Sequence, residues 1–330
     1  MIKRILAINF GGLGDEILFL PSLISLKKEY PNAKITLALE SRSKGIKELT
    51  DVVDNLILVD IKSKNKYLEI FKLITKAIFG DFQLVVSSGA SPLISVIEAA
   101  TFIPNRYGYD TGLLSRLLLT KAVKLNKNQY AAKMYHDLVT PITTYQTDLP
   151  ELTVKKEEKI PNSVLIHPGV SLMSKEKKCI KTIDSKGWAE IIDKLSEYGK
   201  NVILAGGPDD KECIEEITKY TKTNNFKNYY GLTKNLVDLA KLISAAEIFV
   251  CSDSAPLHIA VALKTKTYVF FGPTDDAKLL PQTENVFTMK ASDNCALKPC
   301  LWERRKQSCA SLDCLKYNYN EIVKKILTNV

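Results

Sequence analysis

Apolar residues recur along the chain in two alternating periods. Lys3–Asn9 is a short apolar run, and Phe10-Gly11-Gly12-Leu13-Gly14-Asp15 follows it as a glycine turn. Ile17, Leu20, Leu23, Ile24 and Leu26 then fall at helical spacing until Tyr30-Pro31-Asn32 stops the pattern. A strand, a turn and a helix are predicted there. Further strands are predicted at Ile35–Leu39, Asn55–Val59 and Phe82–Ser87, with helices near 43–50, 66–79 and 91–101. Gln146 to Pro161 is polar and charged with two prolines and reads as a linker. A second series follows, with strands at Ser163–His167, Asn201–Ala205, Asn228–Tyr230, Ile248–Cys251 and Thr267–Phe271. Helices near 186–198, 209–222, 235–246 and 255–263 separate them, and a last helix is expected from Tyr319 to Leu327. Strands alternating with helices imply an α/β protein with parallel, doubly wound sheets. Two Rossmann-like domains are expected, 1–150 and 151–330, with a cleft between their facing carboxyl edges.

Composition narrows this little. Apolar content of 45% and charged content of 25% are ordinary for a globular chain. The net charge is +9, and it is spread out: residues 1–155 carry 20 basic and 15 acidic side chains, the remainder 26 and 22. Such a field favours anionic partners such as nucleotide sugars, phosphorylated glycans or an acidic membrane face. A Lys-rich composition that aids solubility accounts for it equally well. No basic tail or arm stands out, and no nucleic-acid partner is expected. No run of 18 apolar residues occurs, and Met1-Ile2-Lys3-Arg4 leads straight into a strand, unlike a signal peptide. With Cys179, Cys213 and Cys251 scattered as reduced thiols would be, cytoplasmic residence is expected.

The most informative stretch is Phe249–Asp275, which reads as strand, polar turn, helix, strand and Gly-Pro turn. The turn Ser252-Asp253-Ser254-Ala255-Pro256 offers hydroxyls, a carboxylate and free amides where a helix begins. Helix starts carry unpaired N–H groups and partial positive charge, which suits phosphates. The first glycine turn lacks the third glycine of a dinucleotide fingerprint, because Ile17 occupies that place, so NAD binding is disfavoured. Gly12 and Gly14 instead let backbone approach a ligand and set Asp15 at the first helical turn. Two readings of Asp15 stand side by side, a general base and a helix cap.

In the second half, His167-Pro168-Gly169 ends a strand and Lys186-Gly187-Trp188 starts a helix. Lys186 is either a diphosphate ligand or a solvated lysine beside a packing Trp. Glu212 is either a ribose contact or one more surface Glu. His258, five residues after Asp253, touches phosphate or holds the turn. No catalytic metal is expected near these residues, and no cofactor.

Asp253-Ser254-Ala255-Pro256-Leu257-His258-Ile259-Ala260 with Phe271-Gly272-Pro273-Thr274-Asp275 resembles the hallmark of the heptosyltransferases, glycosyltransferase family nine. Gly12-Leu13-Gly14-Asp15 with Pro21, His167-Pro168-Gly169, Lys186-x-Trp188 and Gly231-Leu232-Thr233 match in the same order. The resemblance implies a GT-B fold and metal-independent, inverting transfer from ADP-heptose to a lipopolysaccharide-core or related surface-glycan acceptor. It implies Asp15 as catalytic base. Lys186 and the amides from Ser254 through Ala255 and Pro256 to Leu257 would hold the diphosphate, Asp253 the donor-sugar hydroxyls, and Glu212 the ribose. Ala255 stands where the family usually has Gly, and Lys264 and Lys266 replace its common Gly and Pro. A transferase using another nucleotide sugar and a non-catalytic nucleotide-sugar-binding protein remain as rivals.

Two features lie outside that resemblance. Cys295-x4-Cys300-x8-Cys309-x4-Cys314 leaves a structural metal site, disulfides and free thiols open. Lys62–Phe79 sets Tyr67, Ile70, Phe71, Ile74 and Ile78 along one helical face with Lys64, Lys66, Lys72 and Lys76 nearby. It reads either as a crossover helix or as a basic amphipathic helix on the inner membrane, where a lipid-linked acceptor would be met. Leu113–Leu119 is a second such patch.

Overall fold

The computed structural model describes residues 2–170, 174, 180–289, 291, 295–301, 309 and 311–328. The chain divides into two compact units, Met1–Thr153 and Val154–Val330.

In the first unit, β1 (Arg4–Ile8), β2 (Lys34–Leu39), β3 (Asn55–Leu58), β4 (Leu84–Ser87), β5 (Asn105–Tyr109) and β6 (Lys121–Val123) form a parallel sheet ordered β3-β2-β1-β4-β5-β6. Its helices are α1 (Leu13–Glu29), α2 (Ile46–Leu49), α3 (Lys66–Ile78), α4 (Pro92–Ala100), α5 (Leu113–Leu118) and α6 (Ala131–His136). In the second unit, β7 (Ile160–His167), β8 (Asn201–Leu204), β9 (Phe226–Asn228), β10 (Ala246–Ser252), β11 (Lys266–Phe270) and β12 (Val286–Met289) are ordered β12-β11-β10-β7-β8-β9, also parallel. Around it lie α7 (Ser185–Glu197), α8 (Lys211–Tyr220), α9 (Leu236–Ala245), α10 (Ala255–Leu263), α11 (Asp276–Leu279) and α12 (Tyr319–Thr328). Both sheets have the doubly wound order, reversing direction between β1 and β4 and between β7 and β10. Ligands of such sheets sit beyond the carboxyl ends of the strands at that reversal.

The central strands are apolar without alternation because helices cover both faces. Ile5–Ile8 and Leu84–Ser87 are wholly buried. Every residue of α1 from Glu16 to Leu26 is buried too, more than a single apolar stripe gives. The added cover comes from α6, which packs on α1. There the Ser25 hydroxyl lies 2.8 Å from His136 Nε2 and donates to Thr147 Oγ1 at 3.1 Å. In the second unit Trp188 packs edge-on to Phe270 (5.1 Å between ring centroids), and Phe270 packs edge-on to Tyr317 (4.9 Å).

Two expectations need correcting. Ile70 and Ile74 do not share the outer face of α3 with Tyr67 and Phe71: they pack with Leu73 and Ala77 against the sheet, while Tyr67, Phe71 and Ile78 are exposed. The apolar arc of this helix is wide enough to serve both sides. Strands β5, β6 and β12 also lie where the sequence pattern predicts none. They are strands of three to five residues, β6 and β12 at sheet edges and β5 next to one, and β5 (Asn-Arg-Tyr-Gly-Tyr) has no apolar run. Among the described residues no helix is long and apolar enough to cross a membrane.

Glu98 of α4 is completely buried against Gly108, where an added Cβ would sit 3.0 Å from its Oε1. Burial pushes its carboxyl well above 4.5, and Arg106 offsets this only in part. The folded state therefore holds a proton that the unfolded chain releases above 4.5, so this site contributes stability at low pH and loses it as pH rises. Glu98→Gln removes the titration. Thermal melts across pH should show the variant gaining on the parent as pH rises from 4.5 to 8, and a pH-independent difference would refute the assignment.

Candidate functional site

The first cluster lies where β1 ends, at the reversal of the first sheet. Asn9 fixes the turn: its Oδ1 accepts from the Gly11 amide (3.1 Å) and its Nδ2 donates to the Asp15 carbonyl (3.2 Å). Asp15 folds back so that its Oδ2 accepts the Gly12 N–H at 2.8 Å, which caps α1. Only glycine permits this at position 11, since a Cβ there would stand 2.3 Å from the Asp15 Cβ. Gly14 lies in the first turn of α1. The other Asp15 oxygen, Oδ1, accepts from the Tyr135 hydroxyl at 3.3 Å. Burial, then the Asp15 charge, push that phenol well above 10, so it stays protonated and donates.

Around this turn the charges are graded. Glu16 is fully buried, and burial first, then Asp15 and Glu40, push its carboxyl well above 4.5 against a smaller pull from Arg42. Glu40, also buried, is ion-paired with Arg42 and with Lys62 (3.1 Å). The Arg42 guanidinium reaches the glycine turn, its Nη1 3.5 Å from the place of a Gly12 Cβ. Asp15 is thus an oriented carboxylate at a helix start, with cations behind it. A carboxylate has about four lone-pair positions, so one that caps a helix can still accept a substrate hydroxyl proton.

The second cluster lies at the reversal of the second sheet, where β7 and β10 end side by side. Ser252 Oγ, Thr182 Oγ1 and the Pro168 carbonyl stand 2.7–3.2 Å apart, and the Trp188 indole donates to Thr182 at 3.0 Å. Asp253, nearly inaccessible, accepts on Oδ2 from Lys181 Nζ (2.9 Å) and Thr274 Oγ1 (2.6 Å). Burial drives its carboxyl up, but Lys181 and these hydrogen bonds outweigh that, and it lies below the ordinary 3.8. Thr274 belongs to the Gly-Pro turn after β11, so both halves of the Phe249–Asp275 stretch meet on one carboxylate.

The helix start beside it is open. Ser254 is the N-cap of α10, but its hydroxyl turns to the Ser252 carbonyl (3.4 Å) and caps nothing. Pro256 has no N–H, and the Leu257 amide donates to the Ser254 carbonyl at 3.0 Å. The amides of Ser254 and Ala255 are therefore those that can meet an anion. His258 is buried one turn on, where its charge would add to the field at Asp253. Gly169 lies on Asp210, where a Cβ would meet Oδ2 at 2.1 Å, and that oxygen accepts the Gly207 amide (2.9 Å). His167 is held below 6.5 by burial, partly offset by Asp210.

Lys186 does not meet Asp253. It is exposed on the first turn of α7 with its ammonium 5.3 Å from the Tyr220 ring centroid. Gly187 next to it admits Tyr319, whose Oη would be 2.2 Å from a Cβ there, and Trp188 enters the core. Glu212 is exposed in the first turn of α8. The sequence singled out neither Lys181, one of many lysines between residues 175 and 186, nor Tyr135, which falls in no motif. Among the described residues no disulfide joins Cys295, Cys300, Cys309 and Cys314. Burial and then the neighbouring thiols push Cys314 up to about 11. Among the described residues no three His, Cys, Asp or Glu side chains are arranged to hold a metal.

Removing Lys181 would strand a buried carboxylate. Lys181→Met should lower unfolding stability by roughly 3–5 kcal/mol in denaturant titrations. Since the Asp253 pKa is depressed by folding, its contribution is present above 3.8 and lost as pH falls through the folded value. The deficit of the variant should accordingly shrink in acid, and an equal deficit at every pH would refute the pairing.

The family model of Glycosyltransferase family 9 (heptosyltransferase) matches residues 81–309. Lipopolysaccharide heptosyltransferase 3 of Escherichia coli K12 is 26% identical over 296 residues, covering 85% of this chain and 86% of that protein. The structure of E. coli ADP-heptose lps heptosyltransferase II superposes with a TM-score of 0.76 over 98% of both chains at 18% identity. E. coli heptosyltransferase WaaC with ADP-2-deoxy-2-fluoro heptose gives 0.74 over 99% of this chain and 100% of that one at 16% identity. The fold is that of these GT-B enzymes. With the family model covering more than half of its length, the chain belongs to glycosyltransferase family 9, the heptosyltransferases.

Proposed function

We propose that this glycosyltransferase moves a heptose from ADP-heptose to a lipopolysaccharide-core or related surface-glycan acceptor, by inverting displacement that uses no metal ion. The observation that carries the reading is the edge of the second unit. There the open start of α10 lies beside an Asp253 already charged and fixed by Lys181 and Thr274. A nucleoside diphosphate suits such a place, since amides at a helix N-terminus attract its charge. Donor choice rests on the relatives, two of which are named for ADP-heptose or hold an analogue of it.

In this reading the acceptor hydroxyl oxygen attacks the anomeric carbon while Asp15 takes its proton. The bond from that carbon to the diphosphate breaks, and ADP leaves with the electron pair. Tyr135 and the Gly12 amide hold Asp15 in place. Burial pushes the neighbouring Glu16 toward its neutral acid, which lessens the negative charge beside Asp15. The Ser254 and Ala255 amides meet the leaving diphosphate, and Lys186 exchanges the Tyr220 ring for it. Asp253 and His258 face the donor sugar and phosphate, with Glu212 on the ribose. The Ala255 methyl lies where backbone meets phosphate and bears on donor choice. The reaction belongs at the cytoplasmic face of the inner membrane, where a lipid-linked acceptor is met.

Asp15→Asn should cut transfer by roughly 10²–10⁴-fold, the usual worth of a general base, while nucleotide-sugar binding persists. Near-normal turnover by the folded variant would sink the assignment. For the donor, thermal-shift measurements should show stabilisation by ADP-heptose. A larger shift with UDP- or GDP-sugars would move the reading to another glycosyl donor, and a response to NAD alone would end it.

A further inference from the structure

Helices α3, α4 and α5 are successive crossovers on one face of the first sheet, and each packs on the next. The inner sides of α3 and α4 are spent on the core through Leu73, Ala77 and Ile97, and α5 buries Ser115. Their outer sides are unusually apolar. Of 17 exposed large hydrophobic residues among those described, 11 fall between Tyr67 and Leu117. Tyr67, Phe71, Phe79, Phe102, Leu113 and Leu117 are 65–84% exposed. Phe102 follows α4 with φ +58°, a left-handed conformation that glycine or asparagine takes at less cost than an aromatic. Its ring is held in solvent there, at 80% exposure. Large apolar side chains exposed in such number along one run of packed helices mark a surface that meets a partner.

Charge identifies the partner. Residues 62–124 contain nine basic and four acidic side chains. That difference equals the whole surplus of residues 1–155, so the rest of this part balances to zero. Among the four acids, Glu98 is buried, Glu69 is paired with Lys72 at 2.7 Å and Asp110 with Arg116 at 2.8 Å, which leaves Asp81 exposed beyond the end of α3. Lys64, Lys66 and Lys76 are exposed on or beside α3, and the Lys66 ammonium lies 5.0 Å from the Tyr67 ring centroid. A second copy of the chain would bring the same positive charge against this face and be repelled. An anionic lipid surface offers both things the face lacks, an apolar layer and negative headgroups above it.

We propose that the outer face of α3, α4 and α5 docks on an anionic lipid bilayer, its aromatic and leucine side chains entering the acyl boundary and its lysines meeting the headgroups. The proposal stands apart from the reaction assigned above, and its test reads binding alone. The full chain is sedimented with vesicles of phosphatidylcholine, or of phosphatidylcholine mixed with phosphatidylglycerol. Binding to the mixed vesicles is expected, falling as salt rises, with little binding to phosphatidylcholine. Phe71→Glu combined with Leu117→Glu should weaken it by roughly tenfold or more, as loss of buried apolar area and added negative charge act together. Tyr198→Glu, an exposed aromatic of the second unit, should leave it unchanged. Circular dichroism checks that each variant folds, and Phe79→Ser with Leu113→Ser replaces the first pair if it does not. Failure of the folded parent to bind the mixed vesicles would overturn the proposal. So would binding that the double variant retains, or light scattering that shows a dimer which the double variant converts to monomer.

Discussion

A carboxylate denied water must be given a counter-charge or a proton, and the edge of the second unit is organised around the first solution. Asp253 ends the central strand β10 with almost no solvent access, which alone would drive it neutral. Lys181 and Thr274 reverse that, and they come from segments following two other strands, β7 and β11. One ionised side chain therefore ties three strand ends together beside the open start of α10. Without the pair the turn after β11 would lose its link to β10 through this carboxylate, leaving the Ser252, Thr182 and Pro168 hydrogen bonds to join the ends of β7 and β10.

The first unit uses both solutions within a few residues. Glu40 is buried and paired with two cations, whereas Glu16 and Glu98 are buried and pushed toward the neutral acid. For Asp15 this matters, because a Glu16 pushed toward the neutral acid adds less repulsion to the side chain beside it. The capping and chemical readings of Asp15 also cease to compete. Its bond to the Gly12 amide orients the group, and that bond uses one of several acceptor positions.

Much of this was legible in the residues. Long, strongly periodic segments such as α1, α3 and α7 and the apolar central strands follow from spacing alone, because burial forces the pattern. The short outer strands did not, since β5 and β6 are held by their neighbours in the sheet and not by their own composition. Asp15 and Asp253 could be picked out because glycine, serine and proline surround them at strand ends. Lys181 could not, because its role depends on where the fold carries it, and nothing local distinguishes it from Lys186. The same limit applies to Tyr135, which lies 120 residues from its partner.

The full enclosure of α1 has a bearing on how the chain leaves the ribosome. Its last covering pieces, His136 and Thr147, lie 111 and 122 residues beyond the Ser25 they meet. Contacts so distant in sequence form late, since a long loop must close first. Until residue 147 has emerged, a helix made almost wholly for the interior has one side without its cover. The first unit is then most exposed to aggregation just before it is complete.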